Sequence, residues 1–236
     1  METQKVDVII CTPGHSVMSQ YLRSLLATTQ ELNKRGITWA FSNEYSSNVA
    51  DAREMTLNGD NHNSIKEQRP FKGTVEYKKL FWIDSDIAWT PEDFMKLYES
   101  DKDIVSGAYL LASGEVTAYK ERLGKAYLYD EVKEMTEPVQ VHGIGFGFVA
   151  VKQGVFESLT RPWFQAAIVT MKDAESGEDY QFPLMGEDIS WCERVFQAGF
   201  DVWFDPTVQV THLSLIHISE PTRQAEISYA VFCLKK

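Results

Sequence analysis

A run of four apolar residues, followed at once by a segment with two acids, limits most strongly how this chain can fold. Segment 80–83 (LFWI) predicts a strand that is buried on both faces, and Asp84, Ser85 and Asp86 follow it directly. Strands buried on both faces belong mainly to parallel sheets that helices cover on both sides. Open sheets of this kind bind ligands at the carboxyl ends of their strands. The two carboxylates are therefore predicted to lie at a binding edge.

The rest of the chain alternates between apolar runs and amphipathic stretches. Segments 6–11 and 37–41 predict strands, and a helix that begins near Ser16 is predicted to end at Gly36. Further helices, strands and a hairpin are predicted at 47–57 (helix), Thr90 onward (helix), 103–109 (strand), and 116–119 with 126–129 (hairpin). This order predicts one α/β domain over residues 1–212, with a doubly wound, mostly parallel sheet sandwiched by helices.

Charge and cysteine content exclude several classes of function. A net charge of -11 offers no basic face for a nucleic-acid backbone, so we expect no nucleic-acid partner. The three cysteines are too few and too scattered for a disulfide framework or a zinc site. We expect Cys11 and Cys192 to be buried as small apolar residues. The sequence has neither a transmembrane run nor a secretion signal, which predicts a cytoplasmic protein.

The segment 213–236 is predicted to be non-native. LSLIHISEPTR and ISYAVFCLKK within it resemble the in-frame translation of a transposon-based sequencing adapter, with QAE at the index position. A genuine amphipathic C-terminal segment is the alternative. We expect the reading of the gene to end near His212, so the natural C-terminus would be missing, and we exclude 213–236 from fold reasoning.

Asp84 and Asp86 are candidate metal ligands. In an extended chain, residues two apart face the same side, about 7 Å from each other, so both carboxylates could reach one ion directly or through water. Such an ion would hold a diphosphate. The alternative is a loop with two solvated acids.

A second acidic pair, Glu187 and Asp188, follows Gly186 at the start of a predicted amphipathic helix. The helix dipole would favour their ionised form, which suits a general base that takes a proton from a hydroxyl. Simple capping of the helix is the alternative. Gly186 would permit close approach by a substrate. His212 ends an extended stretch, and a lone histidine there carries meaning only together with other residues.

The order of these motifs resembles the GT-A glycosyltransferases, particularly their family-2-like and Anp1-like members from microbes and phages. The resemblance is carried by FWIDSD at 81–86, GIGFGFVAVK at 143–152, GEDISWCER at 186–194, AG at 198–199, and His212. It spans nearly all of 5–212. It implies the GT-A fold and transfer of a sugar, with inversion, from a nucleotide-diphosphate sugar to a hydroxyl, assisted by Mn²⁺ or Mg²⁺. The acceptor, whether glycan, lipid or protein, stays open.

The resemblance also implies roles for the acids and the histidine. Asp86 would be the principal metal ligand, and Asp84 would contact the metal or the ribose. His212 would be a later ligand of the metal or the diphosphate. Asp188 would be the catalytic base, and Glu187 would position the acceptor.

Three further residues would border the nucleotide if the resemblance holds. Thr12 and Pro13 would lie beside the base, and Arg53 would match the arginine of an Ala-Arg motif near the nucleotide. An ordinary solvated helix face is the alternative for Arg53. Because the helices or lid that usually follow the metal histidine are not represented, the resemblance does not identify the acceptor.

The glycine-rich segment 143–147 leads into a predicted strand, so it is not a dinucleotide fingerprint, which needs a helix amino end. We expect the bare backbone at Gly145 and Gly147 to let donor sugar or acceptor come close. Trp163 and Phe164 could form an acceptor platform, with core packing as the alternative.

Two other functions compete with sugar transfer. Asp-x-Asp after an apolar strand also begins haloacid-dehalogenase-like phosphatases, but those place it on the first strand and need Thr or Val where this chain has Ala88. The second is a non-catalytic nucleotide-sugar-binding remnant. Phosphate release from phosphomonoesters would support the first, and binding without turnover the second.

Overall fold

A computed structural model describes residues 4–58, 67–111, 113–122, 125–173, 176–184 and 186–213. The helices are α1 (Ser19–Lys34), α2 (Val49–Asn58), α3 (Pro91–Glu99), α4 (Tyr129–Val132), α5 (Val155–Ser158) and α6 (Glu187–Gln197), together with a 3-10 helix at Pro70–Gly73. The strands of the first half are β1 (Gln4–Lys5), β2 (Val8–Pro13), β3 (Trp39–Glu44), β4 (Val75–Glu76), β5 (Lys79–Ile83), β6 (Ile87–Ala88) and β7 (Ile104–Ala108). Those of the second half are β8 (Glu115–Tyr119), β9 (Ala126–Leu128), β10 (Val139–Val141), β11 (Gly143–Ile144), β12 (Phe148–Lys152), β13 (Ile168–Lys172), β14 (Asp179–Pro183), β15 (Val202–Gln209) and β16 (Thr211–His212).

The central sheet has seven strands in the order β10-β15-β7-β12-β5-β2-β3. Strands β3, β2, β5, β7 and β15 run in one direction, as their parallel pairings and the two antiparallel pairings of β12 require. Strand β10 is antiparallel to β15. The predicted mostly parallel sheet is therefore confirmed, with β12 reversed between its two parallel parts.

Among the described residues, the core comprises two large apolar layers, one on each face of this sheet, and a small separate cluster of Ala167, Val169 and Leu184. Successive residues of β2 alternate between the two layers: Val8 and Ile10 belong to one layer, and Ile9 and Cys11 to the other. Helices α1 and α3 cover the first layer, and α2, α5 and α6 cover the second. The continuous apolar sequence of the central strands follows from burial on both faces. The predicted single α/β domain, with helices on both sides of the sheet, is confirmed.

Local predictions agree with the structure at most element starts. Thr90 caps α3: its hydroxyl accepts from the Asp93 amide at 3.2 Å, while the Asp93 carboxylate accepts from the Thr90 amide at 3.1 Å. The predicted hairpin is β8 with β9. Cys11 and Cys192 are buried free thiols, as expected. The strand predicted at 37–41 begins two residues later, at Trp39.

Two predictions fall largely outside the described part of the chain. Of the segment 213–236, only Leu213 is described, so the prediction of a non-native tail remains a prediction. The second prediction is a loop at 59–73, which the polar composition of this segment indicates; it is described only from 67 onward, where it contains the 3-10 helix. Within the described ranges, no helix has the length and apolar composition required to cross a bilayer.

Asp7 ties the start of β2 to two neighbouring segments and should make stability depend on acid pH. Its carboxylate accepts from the Thr38 amide at 2.8 Å and pairs with Lys78 at 2.7 Å. The bond to Lys78, followed by those to Thr38, lowers the pKa of Asp7 from 3.8 to about 2. Because the folded pKa is depressed, this stabilisation is present above roughly pH 4 and is lost as the pH falls through about 2.

We expect Asp7→Asn to lower the free energy of unfolding by about 1 kcal/mol at neutral pH, a value reduced by solvent screening of the exposed Lys78. The variant should also lose less stability than the wild type between roughly pH 4 and pH 2. Urea denaturation at several pH values measures both effects. An equal loss for the two proteins over that interval would contradict the assignment.

Candidate functional site

Asp84 and Asp86 lie in a turn at the carboxyl end of β5. The Ile87 amide donates to the Asp84 carbonyl at 3.0 Å, which closes the turn before β6 begins. The extended geometry predicted for this pair is therefore wrong. The two carboxylates still influence each other: burial raises the pKa of Asp84, Arg53 opposes that rise, and Asp86 reinforces it.

Arg53 of α2 connects this turn to the start of α6. Its side chain is 4% exposed, with Nη2 3.1 Å from Asp84 Oδ1 and Nε 3.2 Å from Glu187 Oε1. Its guanidinium carbon lies 5.8 Å from the ring centre of Trp82 and 5.2 Å from that of Phe146. The solvated helix face that was the alternative for Arg53 is excluded. Among the described residues, its Nη1 has no hydrogen-bond partner, so one buried donor is unused.

Glu187 and Asp188 form the first turn of α6, as predicted, after Gly186. Gly186 has φ of 90°, and a Cβ there would lie 3.0 Å from Asp188 Oδ1, so the glycine serves the backbone and makes room for the acid. Burial is the largest cause that raises the pKa of Asp188, and Glu187 raises it further. Backbone amides at the start of α6 lower this pKa, in the direction predicted for the helix dipole, but burial outweighs them, so ionised Asp188 is less favoured than the dipole alone would make it.

His212 lies beside Asp86 because β16 pairs with β6, the strand that follows the acidic turn. Next to it, the Leu213 amide donates to the Asp86 carbonyl at 2.7 Å. His212 Nε2 is 3.4 Å from Asp86 Oδ2, and the two side chains are 21% and 29% exposed. An imidazole and a carboxylate from distant segments therefore meet at one accessible point.

The pair Asp86 and His212 fits part of the coordination shell of a divalent cation. Asp84 differs, because its carboxylate is paired with Arg53. Within the described ranges, no three histidine, cysteine or acidic side chains gather in a way that could hold a metal ion. The predicted ligand set of Asp84, Asp86 and His212 does not form such a group, and a ligand role for Asp86 and His212 stays a prediction. Mg²⁺ sites commonly use one or two carboxylates and take their other ligands from substrate phosphates and water.

Thr12 and Pro13, predicted to border a nucleotide, are both buried. The Thr12 hydroxyl is hydrogen-bonded to the Tyr21 hydroxyl inside the core. The Thr12 side chain is therefore occupied within the core, and the position of the loop at residues 12 and 13 beside a nucleotide base stays a prediction. The exposed groups at this rim are His15 and Tyr45, whose rings lie edge to face at 5.2 Å. Sequence reasoning missed this pair, because the predicted strand ended at residue 41, whereas β3 continues to Glu44 and so places Tyr45 at the rim.

Tyr109 fills the space left by Gly145 and Gly147. A Cβ at Gly145 would overlap the Tyr109 hydroxyl, and one at Gly147 would lie 2.6 Å from Tyr109 Cζ. Tyr109 therefore occupies the space where a Cβ would lie. The expectation that a sugar approaches the two glycines from that direction is wrong. The segment does lead into a strand, β12, as predicted. Sequence reasoning missed Tyr109, although its place at the end of a predicted strand put it at this edge.

Trp163 and Phe164 are core residues, with exposed fractions of 0% and 3%. Core packing, the alternative to an acceptor platform, therefore describes Trp163. Phe164 also lines a cavity of about 290 Å³, together with Val49, Leu184 and Glu187 among others. This cavity lies between the amino ends of α2 and α6, beside the acidic pair.

No protein-family model and no curated protein sequence matches the chain. Among solved structures, A197 from STIV is similar with a TM-score of 0.51 and 20% identity, over 84% of this chain and 81% of A197. This similarity shows a shared fold.

Two further similarities involve glycosyltransferases. The catalytic domain of Drosophila beta1,4-galactosyltransferase 7 has a TM-score of 0.46 and 12% identity, over 89% of this chain and 71% of that domain. A mutant of it is known in complex with manganese, UDP-Gal and xylobiose. A glycosyltransferase involved in glycosylation of the PBCV-1 major capsid has a TM-score of 0.32 and 12% identity, over 66% and 69%. Glycosyltransferases are thus among the solved structures to which this chain is similar.

Proposed function

We propose that this protein transfers a sugar from a nucleotide-diphosphate sugar to an acceptor hydroxyl, with help from Mn²⁺ or Mg²⁺. One observation carries the proposal: a buried arginine and acidic or imidazole side chains from three other segments lie together at the carboxyl edge of the sheet. They are Arg53, Asp84, Asp86, Glu187, Asp188 and His212. Ligands of open α/β sheets bind at this edge.

Asp86 and His212 would hold the cation, and Arg53 would keep the neighbouring acids in place. A bound cation would offset the charge that develops on the departing diphosphate. The single positive charge of Arg53 partly offsets the charges of Asp84 and Glu187, so these two acids repel an incoming diphosphate less than free carboxylates would.

Asp188 would accept the proton of the acceptor hydroxyl. Burial raises its pKa, which makes its carboxylate a stronger proton acceptor than an exposed aspartate. The adjacent cavity beside Glu187 would receive the acceptor. Attack from there on the face of the sugar opposite the diphosphate would invert the anomeric centre.

The exposed ring of Tyr45 would stack on the nucleotide base at the rim of β2 and β3. Loss of one such stack typically costs about 1–3 kcal/mol, so we expect Tyr45→Ala to weaken nucleoside-diphosphate binding about tenfold. Isothermal titration with UDP, GDP and CDP in Mn²⁺ measures this. Tyr45→Phe should bind like the wild type, and so should Tyr129→Ala, which removes a similarly exposed ring from α4. Unchanged affinity in Tyr45→Ala would exclude the stack.

The proposed reaction is tested by incubating the full chain with UDP-, GDP- and CDP-linked sugars, with and without Mn²⁺. We expect one donor to raise the melting temperature in a metal-dependent way and to be consumed. Phosphate release from simple phosphomonoesters, without donor consumption, would instead indicate a phosphatase. Metal-dependent binding with no turnover for any acceptor would indicate a non-catalytic remnant.

A further inference from the structure

Contacts with the backbone of the glycine segment fix the position of the Tyr109 side chain. Its ring lies where side chains at Gly145 and Gly147 would be, so both positions exclude any residue with a Cβ unless Tyr109 moves. The Gly147 amide donates to the Tyr109 hydroxyl at 3.0 Å, which fixes the outer end of the ring. The tyrosine is 6% exposed. Its ring is therefore held in one orientation by the backbone of the glycine segment.

The face of this ring supports His212. The ring centres of Tyr109 and His212 are 5.7 Å apart, with 26° between the planes, which is a stacked arrangement. His212 also contacts the acidic turn, with Nε2 3.4 Å from Asp86 Oδ2. The backbones of the two elements are also joined, because the Val210 amide donates to the Ala108 carbonyl at 2.8 Å. The imidazole of His212 therefore contacts both the Tyr109 ring and the Asp86 carboxylate.

We infer that Tyr109 is a positioning residue: its ring orients the His212 imidazole toward Asp86, and Gly145 and Gly147 are small so that this ring fits. The orientation of His212 does not depend on the proposed function. Only its consequence does, which is that Asp86 and His212 are already arranged to bind a cation. Residues that orient a ligand side chain typically contribute about 10- to 100-fold to metal affinity.

The orientation can be tested without any metal, by NMR of the histidine ring protons, with His212→Gln identifying the His212 signal. Stacking on Tyr109 shifts that signal by the ring current. We expect the shift to persist in Tyr109→Phe, which retains the ring, and to vanish in Tyr109→Leu. Gly147→Ala should also displace the signal, because its Cβ would occupy the place of the Tyr109 ring. Phe94→Leu is the control, since it removes another buried ring, which stacks on Phe81 at 3.8 Å.

A His212 signal that is unchanged in folded Tyr109→Leu, or that moves equally in Phe94→Leu, would overturn the inference. Titration with MnCl₂ then separates it from the proposed function. Paramagnetic broadening of the His212 signal should need about tenfold more Mn²⁺ in Tyr109→Leu than in Tyr109→Phe. If Tyr109→Leu moves the signal but Mn²⁺ broadens it in none of the proteins, the positioning role stands and the cation site of the proposed function fails.

Discussion

Replacing Asp188 with asparagine is expected to reduce sugar transfer by about 10²- to 10⁴-fold, the usual contribution of a positioned general base. Asparagine keeps the size of the side chain and the hydrogen bond from the Ile189 amide, which lies 2.8 Å from Asp188 Oδ1. It cannot accept the proton of the hydroxyl. Donor binding should change little, because the proposed diphosphate contacts involve Asp86 and His212. The turnover number and the donor dissociation constant, measured on the same preparation, separate the two effects.

Glu187→Gln provides the comparison for this result. Its carboxylate is paired with Arg53 at 3.2 Å, so it is less able to act as a base than Asp188. We expect it to alter the Michaelis constant for the acceptor more than the turnover number. Wild-type turnover in Asp188→Asn, or a larger loss of turnover in Glu187→Gln, would remove Asp188 from the role of base.

Arg53→Met is expected to have the largest effect on stability, a loss of about 3–5 kcal/mol. Methionine fills a similar space but leaves Asp84 and Glu187 as unpaired, partly buried carboxylates, and breaking a buried pair in this way carries a cost of that size. The variant also loses the contact of the cation with the Trp82 and Phe146 rings. Denaturant unfolding measures the loss. Arg23→Met, on the exposed face of α1, should change stability by less than about 0.5 kcal/mol.

The pH dependence of Arg53→Met identifies the cause of its instability. Without the arginine, Asp84 loses the partner that opposes the effect of burial, so the pKa of Asp84 in the folded state should be raised further. A raised carboxyl pKa means that the folded state binds more protons, so the variant should regain stability as the pH falls toward the folded pKa. Adding Asp84→Asn and Glu187→Gln should restore part of the loss at neutral pH. A loss that is the same at every pH, and that the added changes do not reduce, would mean that packing alone explains it.

The elements of the fold could be predicted because their causes are local in the sequence. Four successive residues of β5 are apolar, as burial on both faces requires, and the cap at the start of α3 joins Thr90 and Asp93, which are only three positions apart. The acidic turn could not be predicted in detail. Its closure depends on one hydrogen bond from Ile87, and a run of alternating acids fits an extended strand equally well.

The site was predicted less completely because its contacts join distant parts of the chain. Arg53 lies between Asp51 and Glu54, a pattern that an exposed helix face also shows. Its burial depends on partners 31 and 134 residues away. The glycine segment presents the same difficulty. A glycine in the sequence indicates that space is needed at that position, but it does not identify the group that fills the space. That Tyr109 fills this space follows only from the pairing of β7 with β12.

Calorimetric titration of the full chain with UDP, GDP and CDP, each with and without Mn²⁺, tests most directly whether these distant residues form one cation and diphosphate site. At least one nucleoside diphosphate should bind only with Mn²⁺, and both Asp86→Asn and His212→Gln should weaken that binding by at least tenfold. In the same titration, Asp188→Asn should bind as the wild type does. Binding that is equal with and without Mn²⁺, or unaffected by changes at Asp86 and His212, would contradict the account.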